Sequence, residues 1–345
     1  MSMDPGSRVL WAVAFLHGLA ALGWLVAAAF EGPSVTGVHF AFKPLKFAIS
    51  IAVFLATLAV FLPRLGLPRG ASLAIGGLLA LTMLIEMGCI SVQALRGTTS
   101  HFNTSSPFDA ALWQLMVGAI VVATAVMIGL ALLASTRPLI APDGEPLSAV
   151  MSIAWRLGVW MFLLVAITGF GMGGRLQHSV QGTDGGEGLA FLNWSVRHGD
   201  LRVAHFLALH ALQVLPLGAF FIEHVVDKNT LAWFGALAVA FVLACVGAYV
   251  QALRGRPLLT LRSELVAHRL ESANLGAEEG NSAHGEHRCA PEEERFKADE
   301  PPVKRGRHQR PVQGERTRGR DEHEAGDSKG EGAAPPPDLA LSQSN

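Results

Sequence analysis

The residues best suited to chemistry lie between Ile85 and Asn103. An apolar, helix-forming run there carries Glu86, Gln93 and Arg96 and then opens into a polar segment with His101 and Asn103. A carboxylate inside an apolar helix is costly, so such a group marks a proton relay, a ligand contact or a buried ion pair. Gln93 follows Glu86 by seven residues, which sets the two on one helix face. A second stretch, Asp200 to Gln213, supplies Arg202, His205, His210 and Gln213, and Lys46 follows Lys43 and Pro44 in a third. Imidazole beside carboxylate suits proton transfer near neutral pH. Cations such as Lys46, Arg96 and Arg202 suit attraction of an anion.

The elements that must position these groups are long apolar runs. They fall at about 9–30, 44–62, 71–95, 111–134, 149–172, 201–224 and 230–253, and most reach the length a helix needs to cross a bilayer core. The reading is an all-α membrane protein with seven transmembrane helices over residues 1–257, whose first partner is the lipid bilayer. An amphipathic juxtamembrane segment is expected at 258–270. A disordered, charged tail is expected at 271–345, where Glu, Arg, Gly, Pro and Ser dominate and a core cannot be built. Sixteen of the 28 acidic and 11 of the 27 basic residues lie after residue 270. The near-neutral total charge is therefore a cancellation between a mildly basic body and an acidic tail, and it points to no nucleic-acid partner. Ala27-Ala28-Ala29 has the small residues of a leader cleavage site, but the apolar run before it is too long for one, so the first span is expected to be retained. Cys89, Cys245 and Cys289 are scattered, with no disulfide framework or zinc spacing.

Depth sorts the polar residues. Glu86 precedes Arg96 by ten residues, roughly 15 Å along a helix. His210 enters from the same face by a comparable distance, and His17 sits near the middle of the first span, so the three are expected to share one layer. His17 with His210 is the candidate pair for a metal ion or haem b, although no specific motif supports a cofactor. His205 and His210 are five residues apart, about 140° of helical rotation, and make a poor pair on an unbroken helix. Pro216 is expected to bend the sixth span. Arg156 is an alternative, structural partner for Glu86. Loops carrying His39, Lys43, His101, Asn103, His178, Asp184, Arg197, His198 and Asp200 all fall on one membrane face. With Lys46, Arg96 and Arg202 beneath them they would form a cationic mouth, attractive to a small anionic solute or a lipid headgroup. The competing reading is snorkelling of long side chains to the interface.

Val92-Gln-Ala-Leu-Arg-Gly97 recurs as Val250-Gln-Ala-Leu-Arg-Gly255, and Leu45-Lys-Phe-Ala48 is echoed by Leu201-Arg-Val-Ala204. The recurrence fits a 3+1+3 plan, two parallel three-helix units joined by a fourth helix, or coincidence in a chain so rich in Ala, Leu, Gly and Arg. Parallel repeats of this kind resemble the architecture of the SWEET sugar carriers, although the proline–glutamine pairs of that wider group are missing.

Three function classes remain: a small-solute or proton-coupled carrier; a membrane-embedded haem or metal protein, redox or hydrolytic; and an adaptor or sensor whose tail binds partners. The hydrolytic case is similar to seven-span ceramidases in helix number, without their His-x-x-x-His spacing. Lys43-Pro-Leu-Lys46-Phe, Gln93-Ala-Leu-Arg96-Gly with Ser100-His101-Phe-Asn103, and Gly199-Asp-Leu-Arg-Val-Ala-His205 resemble segments of uncharacterised bacterial multi-pass membrane proteins. That resemblance implies a cell (inner) membrane location and brings no activity with it.

Overall fold

The computed structural model describes residues 3–259 except residue 187; the tail and most of the expected juxtamembrane segment lie outside the described residues. Helices dominate: α1 (Pro5–Ala27), α2 (Phe42–Phe61, continued by a 3-10 turn Leu62–Leu65), α3 (Arg69–Leu95), α4 (Pro107–Thr136), α5 (Ala149–Arg175), α6 (Leu201–Leu209), α7 (Ala211–Val225) and α8 (Thr230–Leu253). Two short antiparallel ladders join loop segments, β1 (Ser34–Val35) with β2 (Val38–His39) and β3 (Ser179–Val180) with β4 (Gly199–Asp200). The ladders were not legible as strands in the sequence, each being only two residues long.

Helix starts follow local capping chemistry. Asp4 accepts from Ser7 N at 2.9 Å ahead of α1, with Pro5 in the first turn, and Ser106 caps α4 ahead of Pro107. Ser148 caps α5 and Asp200 caps α6. Each side-chain oxygen satisfies an amide that the helix leaves without a partner.

Six helices among the described residues are long and apolar enough to cross a membrane, and the α6–α7 pair qualifies as a seventh if its two halves are one span. Their outward faces carry Phe15, Leu22, Ile167, Val239 and Leu243, all largely exposed. An apolar belt of this extent is stable only when lipid covers it. The chain is a multi-pass helical membrane protein.

The sixth expected span is broken. α6 and α7 meet at His210 with a bend of 47°, six residues before Pro216, where the sequence placed it. Pro216 has no N–H to donate and sits inside α7. At the break, His210 N is shared between the carbonyls of Phe206 (3.3 Å) and Leu207 (3.1 Å), and the ladder restarts with Gln213 N and Val214 N on the His210 carbonyl. His205 and His210 both lie on α6, His210 as its C-cap still bonded to the Phe206 and Leu207 carbonyls, so the helical rotation that separates them is not altered by the bend that follows.

Packing separates two bundles. α1 lies on α2 and α3, α5 lies on α6, α7 and α8, and α4 touches α3 on one side and α5 on the other. The first bundle centres on Leu10, Leu55, Leu58, Phe61 and Met127, the second on Ala211, Leu215 and Phe234. Gly6 and Gly76 allow α1 and α3 to approach closely: a methyl group on Gly76 would come within 2.6 Å of the Gly6 carbonyl oxygen. Stacked rings join α2 to α5, Phe61 on Trp155 at 5.0 Å and Phe54 on Phe162 at 5.3 Å.

The two copies of Val-Gln-Ala-Leu-Arg-Gly adopt the same helix stop. Thr98 N bonds the Gln93 carbonyl at 3.1 Å and Gly97 N the Ala94 carbonyl at 2.9 Å; Arg256 N and Gly255 N do the same to Gln251 and Ala252 at 3.2 and 2.9 Å. Gly97 and Gly255 both have left-handed backbone, φ 68° and 71°. This is the Schellman cap, for which glycine is the favoured residue. Part of the recurrence is thus cap chemistry shared by two helices.

Candidate functional site

Two cations from opposite bundles converge on one turn of the loop between α5 and α6. Lys46 Nζ, from the first turns of α2, donates to the carbonyls of Phe191 (2.7 Å) and Leu192 (3.1 Å). Arg202, from the first turn of α6, donates to the Asn193 carbonyl. Lys46 and Arg202, the basic residues of the echoed segments, together hold three consecutive carbonyls. Phe191 and Asn193 have positive φ, 64° and 56°, which turns these carbonyls inward toward the cations at the cost of some backbone strain.

Arg202 is itself fixed by Asp200, with Nε at 2.9 and 3.1 Å from its two oxygens and Nη2 at 2.6 Å from Oδ2. The Asp200 side chain is fully buried and also accepts from Ser195 N at 2.9 Å. Burial would raise the Asp200 carboxyl, but the hydrogen bonds and charge of Arg202 outweigh it, and the group titrates below its ordinary value. His178 Nδ1 lies 3.2 Å from Asp184 Oδ1 and 3.8 Å from Asp200 Oδ1. Burial, then the neighbouring Arg202 charge, lower its pKa and favour the neutral ring. A cavity of about 190 Å³ opens among Thr36, His178, Ser179, Asn193, His198 and Arg202. It has room for several waters at ~30 Å³ each.

Beneath this platform lies a second group of polar side chains. Glu86, 3% exposed, points Oε1 into the interior with no hydrogen-bond partner. Lys43 of α2 is within electrostatic reach of Glu86, and also of Lys46 and Arg202. Its Nζ sits 6.0 Å over the Phe47 ring and has no hydrogen-bond or ion-pair partner among the described residues. His101 faces Phe47 (5.4 Å) and Trp113 (5.6 Å), with Nδ1 3.1 Å from Ser100 Oγ. Its pKa falls well below the ordinary value through burial and then the Lys43 charge, and the ring is neutral. His205 Nδ1 is 2.9 Å from Thr168 Oγ1, whose own hydrogen is directed at the Val165 carbonyl at 2.9 Å. That geometry makes His205 Nδ1 the donor and leaves Nε2 as an acceptor. His101 lies within electrostatic reach of Lys43, His178 and His205. Lys43 is thus within electrostatic reach of both Glu86 and His101, His101 of His205 and His178, and His178 also lines the cavity.

The other sequence-derived candidates sit elsewhere. Gln93 Nε2 donates to Asp109 Oδ1 at 2.8 Å, and Arg96 ion-pairs with the same carboxylate and bonds Gln93 Oε1. Ser105 and Ser106 hydroxyls complete the Asp109 shell at 3.0 and 2.5 Å. Asn103 bonds Thr98, Thr99 and Ser105. Gln93, Arg96 and Asn103 therefore fasten the end of α3 to the start of α4. Gln213 Nε2 reaches Thr57 Oγ1 at 3.0 Å and ties α7 to α2.

His17 and His210 are expected to share a layer with Glu86, and His17 does lie against α3 at Met83, one turn from Glu86. His17 is buried between α1 and α3 with both ring nitrogens against backbone carbonyls, Val13 at 2.8 Å and Met83 at 3.4 Å. His210 bonds the Phe206 carbonyl and stacks on its ring at 4.1 Å. His17 thus has both ring nitrogens against carbonyls, whereas His210 engages only Nδ1, so the candidate haem or metal pair lacks a free ring at His17. Among the described residues no group of three or more His, Cys, Asp or Glu is arranged to hold a metal ion. Arg156 is not the partner of Glu86 either, because it donates to the carbonyls of Ala134 and Arg137 at the end of α4.

No protein-family model, curated protein or solved structure matches the chain. The reading of the site therefore rests on its own geometry.

Lys43 and Thr168 are the site residues that sequence reasoning undervalued. Lys43 looked like a mouth cation free to reach the interface, and what separates it from Lys46 is that no carbonyl or carboxylate among the described residues holds its Nζ. Thr168 stood in an apolar span with nothing in the sequence to single it out.

Proposed function

We propose that the chain is a proton-coupled carrier of a small solute in the cell (inner) membrane, with seven spans arranged as two parallel three-helix units joined by α4. The broken α6–α7 pair would be the sixth span; discontinuous helices are a recurring feature of carrier binding sites. The observation that carries the reading is Glu86: a buried carboxylate with an unsatisfied oxygen, within electrostatic reach of Lys43, whose Nζ has no hydrogen-bond partner among the described residues. A structural carboxylate at this depth would be expected to complete its hydrogen bonds. Asp109, in the same protein, does so with four side-chain partners.

In this reading the cavity under the loops admits solute, Lys46 and Arg202 hold the loop that lines it, and Glu86 takes and releases the coupling proton. His205 Nε2, left as an acceptor by the Thr168 contact, offers a further proton-accepting site. Solute uptake by proteoliposomes under an imposed pH gradient tests the proposal. Uptake should follow the gradient and collapse when a protonophore dissipates it; uptake indifferent to the gradient would overturn proton coupling.

A further inference from the structure

The cavity among the loops is built around one carboxylate. Asp200, fully buried, gathers three of the wall residues: Arg202 Nη2 lies 2.6 Å and Ser195 N 2.9 Å from Oδ2, and His178 Nδ1 lies 3.8 Å from Oδ1. The β3–β4 ladder pairs Ser179, another wall residue, with Asp200. Asn193 Nδ2 donates to the Thr36 carbonyl at 3.2 Å and so joins the turn between β1 and β2 to the same cavity.

The polar groups left unengaged define a ligand. Arg202 commits Nε and Nη2 to Asp200 and the Asn193 carbonyl, while its Nη1 has no partner among the described residues. Ser195 Oγ accepts from the amides of Arg197 and His198 at 3.3 and 2.9 Å, so its hydroxyl hydrogen is left to donate. His178 Nδ1 donates to Asp184 Oδ1 at 3.2 Å, which leaves Nε2 of the neutral ring as an acceptor. The two carboxylates are already engaged and offer little to a cation. Asp184 also accepts from the amides of His178 and Ser179, and Asp200 from those of Ser195 and Arg202. Lys46, with no carboxylate partner among the described residues, adds positive charge at the same loop. The cavity therefore presents charged and neutral donors together with one acceptor.

We infer that this cavity binds a hydrogenphosphate group, with its bare oxygens on Arg202 Nη1 and the Ser195 hydroxyl and its own O–H on His178 Nε2. The donors call for an oxyanion, and the acceptor selects one that keeps a hydrogen. Phosphate and its monoesters retain an O–H in the singly protonated state; sulfate and the phosphodiester of a lipid headgroup have none at neutral pH. The cavity, about 190 Å³, has room for about six waters at ~30 Å³ each, enough for the group and a small substituent. Binding makes and breaks no covalent bond. That the bound anion is the carried solute rests on the carrier reading; the site itself does not.

The test is calorimetric titration of the purified full-length protein in detergent at pH 7 with sodium phosphate, sodium arsenate, sodium sulfate, glycerol 3-phosphate and dioctanoyl phosphatidic acid. Wild type should bind phosphate at one site and arsenate, which shares its O–H, nearly as well. Sulfate should bind roughly tenfold more weakly or worse, because it leaves the His178 acceptor unpaired. In His178→Gln the side-chain amide donates as well as accepts, so this preference should shrink to about threefold or less. Asp200→Asn combined with Arg202→Met removes both charges together and should weaken phosphate by about tenfold or more. Melting temperatures within a few degrees of wild type show that both variants fold. Absence of saturable phosphate binding, sulfate binding as tight as phosphate, a sulfate preference unchanged in His178→Gln, or phosphate binding unaffected in the double variant would each overturn the inference. Phosphatidic acid binding in preference to phosphate and glycerol 3-phosphate would assign the site to a lipid and overturn the solute. Because binding is measured without flux, phosphate binding with no uptake by vesicles would refute the carrier reading and keep the site. Gradient-driven uptake of another solute by a protein that does not bind phosphate would do the reverse.

Discussion

Replacing Arg202 with methionine isolates the load on the loop platform. The substitution keeps most of the side-chain volume and removes the guanidinium from Asp200, whose side chain is fully buried, and from the Asn193 carbonyl. Removing one partner of a buried ion pair costs about 3–5 kcal/mol. Arg202 is 27% exposed, so water can reach part of the site, and the lower end, about 3 kcal/mol, applies. Asp200 would keep only the amides of Ser195 and residue 202, at 2.9 and 3.0 Å. At about 1.4 kcal/mol per decade, this corresponds to roughly a hundredfold more frequent opening of the loop. The assay is hydrogen exchange by mass spectrometry on the peptide spanning 190–202, read at pH 7. The sign also has a pH signature. With Arg202 present, the Asp200 pKa is depressed and its stabilisation is lost only as pH falls through the acid range. Without Arg202, burial dominates, the carboxyl prefers its proton, and opening of the variant should increase as pH rises. Asp200→Asn combined with Arg202→Met removes the stranded charge and should recover most of the protection. Exchange within threefold of wild type in the single variant, or no recovery in the double one, refutes the argument.

Gly255→Ala and Gly97→Ala both force a side chain into left-handed backbone at a cost of about 1–2 kcal/mol. The Gly255 methyl would also meet Gln181 Oε1 at 2.1 Å whereas the Gly97 methyl clears Pro33 at 3.4 Å, so Gly255→Ala should show the larger drop in thermal melting temperature. His178 is held neutral in the fold, so the unfolded chain binds more protons below about pH 6.5 and stability falls with pH there. In His178→Gln the loss of melting temperature between about pH 6.5 and 5 should be shallower. The absorption spectrum of the purified protein should lack the Soret band of a haem held by His17 and His210, because both His17 ring nitrogens face backbone carbonyls; a Soret band that survives replacement of both histidines by leucine would revive haem chemistry at other residues.

The fold was legible where the signal was long. Apolar runs gave the boundaries of α2, α3, α5 and α8 to within three residues, because bilayer-length hydrophobicity is set by composition. The break at His210 was misplaced to Pro216, since a proline announces a lost hydrogen bond but not where the helix relieves it. At the site, depth arithmetic set His17 beside Glu86, and His17 does reach α3 one turn away at Met83, but with both ring nitrogens against carbonyls. The arithmetic compared positions along helices and ignored which helices touch: α1 packs on α2 and α3, and His17 is consumed holding it there. Lys43 comes within electrostatic reach of Glu86 from the first turn of α2 because a lysine side chain spans several ångströms that residue counting omits. Arg96 and Asn103 looked like a binding loop in sequence, and the partner that claims Arg96, Asp109, lies thirteen residues on, at what sequence reading took for a loop edge.

The central claim, that Glu86 couples proton movement to solute movement, is tested most directly in proteoliposomes loaded with a pH-sensitive dye. Solute added outside should acidify the lumen of wild-type vesicles, and Glu86→Gln vesicles should show only the leak of protein-free liposomes. Acidification by Glu86→Gln at the wild-type rate would contradict the account.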